Sequence, residues 1–146
     1  MKRVEFVVHG LVPPRNVGKQ SMWNDDTEVP RVIELRKRAL ESIGDRQPLS
    51  EDIRLTIEIH IPKSHNEPGD LDNFIKGICD SLYVPRKSLD NPNFSFHELF
   101  DLPENRNVHP ERFAIIKDNG QIAEIHARLD TKESDNLYYR VTVWGK

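Results

Sequence analysis

Apolar and polar positions alternate along four stretches of the chain and recur at helical spacing along two others. Residues 2–9 read as a strand, with Val4, Phe6 and Val8 alternating against Arg3, Glu5 and Val7. Residues 52–61 give the clearest strand: Ile53, Leu55, Ile57, Ile59 and Ile61 on one side, Arg54, Thr56, Glu58 and His60 on the other. Two more strands are predicted near the end, over 121–129 and 137–144. Between them the period changes. Residues 29–43 place Val29, Val32, Ile33, Ala39, Leu40 and Ile43 on one broad face, and Gly44 is a suitable stop. Residues 70–83 place Leu71, Phe74, Ile75, Ile78 and Leu82 on one face, with Asp70 as the N-cap after the Pro68-Gly69 bend.

From 84 to 110 the pattern is lost, and Pro85, Pro92, Pro103 and Pro110 punctuate the stretch. It is expected to be an irregular insertion, because a loop of that length in a compact domain serves a function or lacks order. Phe94, Phe96, Leu99 and Phe100 within it are too apolar for open water. Packing on the core or burial in a dimer interface is the expected fate, with insertion between DNA bases as an alternative. The order strand, helix, strand, helix, long loop, strand, strand predicts a single α+β domain over 1–146, with two main helices packed on a small mixed sheet.

Composition narrows the class. The chain has 146 residues with 36% hydrophobic and 31% charged, which suits one globular domain. No apolar run approaches the length of a membrane span. The basic N-terminus lacks the apolar segment of a signal peptide. A single cysteine, Cys79, excludes an internal disulfide framework and a cysteine-rich zinc site. Together these features point to the cytoplasm. The net charge of −3 argues against nucleic-acid binding over the whole surface, while leaving room for a local basic groove.

The chemistry concentrates at 70–80. On a helical wheel Asp72, Asn73, Lys76 and Asp80 fall within about 100° of one another, opposite the apolar face. Asp70, with extended backbone at the cap, is able to turn its carboxylate toward Asp72. Two adjacent carboxylates repel unless a cation compensates, and an oxygen-only donor set suits Mg²⁺ or Mn²⁺. The plainer account makes Asp70 a cap and Asp72 a first-turn answer to the helix dipole. Asp80, about 12 Å beyond Asp72 along the axis, is too far to share one ion. It is expected to pair with Lys76 at i, i+4 and orient it.

The run Asp70-Leu71-Asp72-Asn73, then Lys76, then Asp80-Ser81-Leu82, resembles the D-x-D-N-x-x-K-x-x-x-D-x-L signature of RusA-type Holliday junction resolvases. The preceding strand and the N-terminal Leu11-Val12-Pro13-Pro14-Arg15 turn are similar to that family as well, and the resemblance spans most of the chain apart from 84–110. It implies a homodimeric endodeoxyribonuclease of DNA recombination and repair, bacterial and often prophage-borne, that cuts four-way DNA junctions with Mg²⁺ held by aspartates. Asp70 and Asp72 would then be metal ligands, and Lys76 would contact the scissile phosphate. The family's third aspartate precedes a Gln and a β-branched residue. Here the matching stretch is Lys117-Asp118-Asn119-Gly120-Gln121-Ile122, where strict spacing sets Asn119 on that aspartate and Asp118 beside it. Asp118 is assigned the third carboxylate of the metal and catalytic set. A departure at Asn119 motivates the alternative of a DNA-binding or phage-derived structural module that lost the chemistry. An unrelated metal-dependent hydrolase of small phosphate esters is a third reading.

Asn119-Gly120 also reads as a two-residue hairpin turn between 113–116 and 121–125, whose tip would deliver Asp118 to the helix start. Arg15 and Lys19 are candidates for phosphate contact, alongside Lys76. Arg31, Arg36, Lys37 and Arg38 make helix 29–43 basic, either as a solvated face or as a surface that tracks DNA backbone. His60, His65, His97, His109 and His126 have no zinc-hydrolase spacing. His65, five residues before Asp70, reads as a surface-loop histidine, with proton donation at the site as the alternative.

Overall fold

A computed structural model of the chain describes residues 2–16, 21–65, 69–92, 94–131 and 136–146. Its elements are β1 (Arg3–His9), α1 (Val29–Ile43), β2 (Ile53–His60), α2 (Leu71–Ser81), α3 (Arg86–Leu89), β3 (Ile122–Asp130) and β4 (Tyr138–Gly145). The four strands form one mixed sheet in the order β1-β4-β2-β3. The last strand lies inside it, antiparallel to both β1 and β2, while β2 and β3 run parallel. The expected α+β domain, a small mixed sheet carrying two main helices, is what the chain forms. Among the described residues no helix is long and apolar enough to cross a membrane.

Strand alternation decides which sheet face is buried. Val4, Phe6 and Val8 of β1, Ile53, Leu55, Ile57 and Ile59 of β2, and Tyr139, Val141 and Val143 of β4 all point to the helix side. Leu35 and Ala39 of α1 and Phe74 and Ile78 of α2 close over them. The other face is a polar lattice. Glu5 pairs with Arg3 and with Arg140 (3.4 Å), and Glu58 lies 3.6 Å from Arg140 and 3.8 Å from Arg128. Trp144 sits between the guanidinium groups of Arg3 (5.0 Å) and Arg54 (5.2 Å). Such exposed pairs contribute at most about 1 kcal/mol each, so they keep the face soluble and in register rather than hold the fold.

The stretch 84–110 is more ordered than an irregular insertion. Besides α3 it contains 3₁₀ turns over Glu98–Asp101 and Pro103–Val108. Its apolar residues pack within the same chain: Phe100 and Val108 are buried with Met22, Trp23, Val29, Val32 and Ile33, and Phe94, Phe96 and Leu99 lean on this second cluster. α1 therefore has apolar neighbours on two sides, the sheet on one and the insertion on the other.

Two of the basic residues of α1 depart from both expectations. Arg31 and Arg36 are buried, not solvated and not available to DNA. Arg31 pairs at 3.0 Å with Glu28, itself 1% exposed. Arg36 is 0% exposed, between the two clusters. Its Nε donates to the Val108 carbonyl (2.9 Å), Nη1 to Ser81 (2.9 Å) and Tyr83 (3.4 Å), and Nη2 to His109 (3.4 Å) and Arg112. The Trp23 ring lies 5.6 Å below its centre. Burial lowers the guanidinium pKa to about 10, so the charge persists at neutral pH. Arg38, in contrast, is on the surface between Glu34 and Glu41.

Arg36→Lys is expected to keep the charge but lose the planar fork that reaches several carbonyls at once. Stranding those buried acceptors costs about 3 kcal/mol, which lowers the thermal midpoint by roughly 6–12 °C for a chain of this size. An unchanged midpoint in calorimetry would refute this role.

Candidate functional site

α2 begins abruptly because Gly69 lets the chain pass against the ring of Phe74. A Cβ on Gly69 would come within 2.2 Å of that ring, and Phe74 is itself fully buried. Asp70 follows at the N-cap position with extended backbone (φ −89°, ψ 146°), yet its side chain makes no capping hydrogen bond. The plain reading of Asp70 as a side-chain cap is therefore not what the helix start contains. Asp70, Asp72 and Lys76 are exposed, Asp72 and Lys76 on the helix side away from the buried Phe74, Gly77, Ile78 and Ser81, and Asn73 is half-buried. Further along, a Cβ on Gly77 would lie 1.7 Å from the Pro14 carbonyl oxygen, so the Pro13-Pro14-Arg15 segment rests directly on α2.

Asp118 does not come to this helix start. The Asn119-Gly120 hairpin does not form: among the described residues only Gly10 and Gly44 have positive φ, which a two-residue type I′ turn requires at both central positions. Residues 119–121 make instead a 3₁₀ turn capped by Asp118, whose carboxylate accepts the Gly120 N–H at 3.0 Å. Gln121 locks the turn. Its Oε1 accepts from the N–H groups of Lys117 and Asp118, both at 2.9 Å, and its Nε2 donates to the carbonyls of Leu49 and Glu51. Segment 113–116 runs to the end of α2, where the Leu82 carbonyl accepts from Ile115 and Ile116 N–H.

The parallel pairing explains this placement. Ile53 at the start of β2 is the partner of Ile122 at the start of β3. α2 leaves the end of β2 and must carry the chain back to that shared starting edge, so Asp118 arrives at the C-terminal end of α2. Asp70 is at the opposite end, ten residues from Asp80, or about 15 Å at 1.5 Å per residue. Asp118 therefore does not converge with Asp70 and Asp72 as the sequence predicts.

Asp80 also differs from expectation. Its Oδ2 accepts from Asn16 Nδ2 at 3.0 Å and its Oδ1 from the Tyr83 hydroxyl at 3.2 Å, rather than pairing with Lys76. Burial first, then the charges of Asp80 and Asp118, push the Tyr83 hydroxyl well above its ordinary range and keep it a donor. Burial, then Asp80, pushes the Cys79 thiol up to about 11, which leaves it a poor nucleophile. Between the end of α2 and the 117–119 turn lies a cleft of about 420 Å³, with Trp23, Val84 and Pro85 as apolar wall and Asn16, Asp80, Tyr83, Arg86 and Lys117–Asn119 as polar wall. Its contributors come from four separate parts of the chain, and no local pattern singled out Asn16, Trp23, Tyr83 or Arg86.

Among the cationic candidates, Arg15 is tied to Glu28: its backbone N–H donates at 3.0 Å and its guanidinium lies 3.7 Å away. Lys19 lies outside the described residues. Among the described residues, no three His, Cys, Asp or Glu groups are placed to hold one metal ion. The oxygen donors of Asp70 and Asp72 fit a hydrated Mg²⁺, an ion that binds through one or two carboxylates and takes water and substrate phosphate for the rest. Asp118 does not fit as their third partner. No family model and no curated protein matches the chain.

A hairpin and a side-chain-locked turn respond differently to substitution. Gln121→Ala strands two carbonyls and two N–H groups and is expected to cost about 1–3 kcal/mol in urea unfolding. Asn119→Ala, on the exposed turn, is expected to change stability by less than about 0.5 kcal/mol. The reverse order would restore the hairpin.

Proposed function

We propose that the chain is a Mg²⁺-dependent, structure-selective endodeoxyribonuclease that resolves four-way DNA junctions, in the manner of the RusA-type enzymes it resembles. The observation that carries this reading is Asp70: it occupies the N-cap of α2 without using its carboxylate as a cap, and it is exposed, as are Asp72 and Lys76 in the first turns that follow. A side chain placed there only to satisfy the helix would bond the first-turn N–H groups. Those groups keep the partial positive charge of a helix start, which favours phosphate.

In this reading Asp70 and Asp72 hold the ion through their carboxylate oxygens. When bound, Mg²⁺ supplies Lewis-acid activation of the phosphodiester and of the attacking water. Lys76 lies one helical turn beyond Asp72, on the same side, and offers a compact cation to the phosphate oxygens as charge accumulates on them. Asn73, half-buried, follows Asp72 in the first turn. A homodimer would present two such sites to a branched substrate. Such a substrate, with a lone unpaired cysteine, is consistent with the cytoplasm.

A second reading, a module that binds junctions without cutting them, is favoured by one specific observation: the carboxylate expected to complete the metal set is with Asp80 at the far end of α2. Asp70→Asn or Asp72→Asn is expected to reduce cutting of a synthetic four-way junction at least about 100-fold while leaving gel-shift affinity intact or tighter. Lys76→Ala should slow it by about 10²-fold or more. If the Asp72→Asn protein cuts at the normal rate, the mechanism is wrong. If wild-type protein binds the junction but never cuts it across a titration of Mg²⁺ and Mn²⁺, the second reading holds.

A further inference from the structure

We propose that the free edge of β3 is an interface with a second copy of this chain, in which the two β3 strands pair antiparallel about a twofold axis at His126 and join two sheets into one. It supplies an interface for the homodimer of the preceding reading, yet it rests on the sheet and not on cleavage.

The apolar layer is finished at one edge of the sheet and unfinished at the other. At the β1 edge Val4, Phe6 and Val8 face the helices, and none is more than 5% exposed. β3 offers Ile125, Ala127 and Leu129 to the same side, because their register partners are the buried Leu55, Ile57 and Ile59 of β2. These three are incompletely covered, and Ile125 is 40% exposed. The layer above is unfinished in the same way. α2 packs over β3, and Leu71, Ile75 and Cys79, four residues apart, are only half-buried. Ile75 lies about 160° round the helix from Gly77, the residue seated on Pro14, so this flank turns away from the N-terminal segment.

The strand is also fit to pair. It runs nine residues, Ile122–Asp130, with no proline, glycine or lysine and no charge on its helix side to block a neighbour. Its shift of register against β2 is confined to its start, between Ile53 and Arg54. Among the described residues β2 is its only strand partner, so every second residue of β3 turns its N–H and C=O outward.

Charge decides the occupant and the register. A twofold axis normal to the sheet keeps every side chain on its own face, so the axis passes through a residue. Through His126, it sets Glu124 of each copy against the partner's Arg128, and Ile125 against the partner's Ala127. In the single chain Glu124 meets His126 at 2.6 Å and Arg128 stands 3.8 Å from Glu58, and both remain exposed. Other registers are poorer. An axis through Ala127 opposes Glu124 to the partner's Asp130 and His126 to the partner's Arg128. One through Glu124 opposes two carboxylates, and one through Ile125 gives Glu124 only the partner's His126, which is charged only when protonated. The strand is thus complementary to its own reverse, as a twofold interface requires. Exposed ion pairs add little affinity, so the apolar strip supplies the binding and the pairs set the register.

The test is sedimentation equilibrium of the full chain without DNA, where a dimer is expected. Ile125→Glu should weaken it at least about tenfold with an unchanged far-ultraviolet circular dichroism spectrum. Glu124→Arg and Arg128→Glu should each weaken it by about fivefold. The double variant should recover most of that loss, because the swap restores both pairs across the axis; a role confined to one chain predicts no such recovery. In a Cys79→Ser background His126→Cys should oxidise to a disulfide dimer, since opposed Cα atoms are about 4.5–5.5 Å apart. Leu102→Cys, 38% exposed but off the edge, should not. A monomer at every concentration, a dimer indifferent to Ile125→Glu, or a double variant that does not recover would overturn the proposal. Junction cleavage by the same samples separates the two ideas. A dimer that never cuts keeps this interface and removes the resolvase, and a monomer that cuts does the opposite.

Discussion

A guanidinium placed in a dry interior loses its hydration, and that loss is recovered only if its five N–H groups find acceptors in their fixed planar directions. Arg36 meets this demand with main-chain carbonyls of Ser81, Tyr83, Val108, His109 and Arg112. These belong to three parts of the chain that are not partners in one helix or sheet: the end of α2, the close of the 3₁₀ region, and the approach to the 113–116 segment. Carbonyl partners cannot change protonation, so the arrangement holds wherever the arginine itself is charged. One side chain thereby sets the distance between α1, α2 and the insertion.

The cleft depends on that junction. Its apolar wall includes Trp23, stacked under Arg36, and Val84, just after the Ser81 and Tyr83 carbonyls that Arg36 grips. Its polar wall is brought in by the Gln121-locked turn. The exposed Asp70, Asp72 and Lys76 have a different origin. They follow from the local start of α2, where Gly69 passes against Phe74 and the backbone of Asp70 stays extended. One helix thus carries two chemically distinct ends, an acidic open one and a charge-balanced concave one. Gly77, packed on the Pro14 carbonyl between them, seats the middle of the helix against the N-terminal segment.

Periodicity was sufficient for the regular elements. The apolar spacing and Gly44 gave α1 its observed limits, Val29–Ile43, because a helix with one apolar stripe and a positive-φ glycine after it has few alternatives. All four strands and α2 are within two residues of expectation at each end. Two inferences from residue class alone failed. Arg31 and Arg36 look like surface cations, yet both are buried, and the insertion that covers Arg36 has no periodicity to announce it. Asn119-Gly120 looks like a hairpin turn, and the long-range bonds of Gln121 to Leu49 and Glu51 outweigh that local preference.

The sequence by itself determined the element types, the buried sheet face, and the exposed carboxylates and lysine at the start of α2, because each depends on residues within a turn or two of one another. Tertiary structure alone decided which strands are parallel, and with that which end of α2 receives Asp118. Pairing between β2 and β3 joins residues about seventy positions apart, and no local spacing records whether a returning chain starts at the near edge of the sheet or the far one. The same long-range choice separated Asp118 from Asp70 and Asp72, and assembled a cleft from Asn16, Trp23, Tyr83 and Lys117 that no stretch of the chain foreshadows.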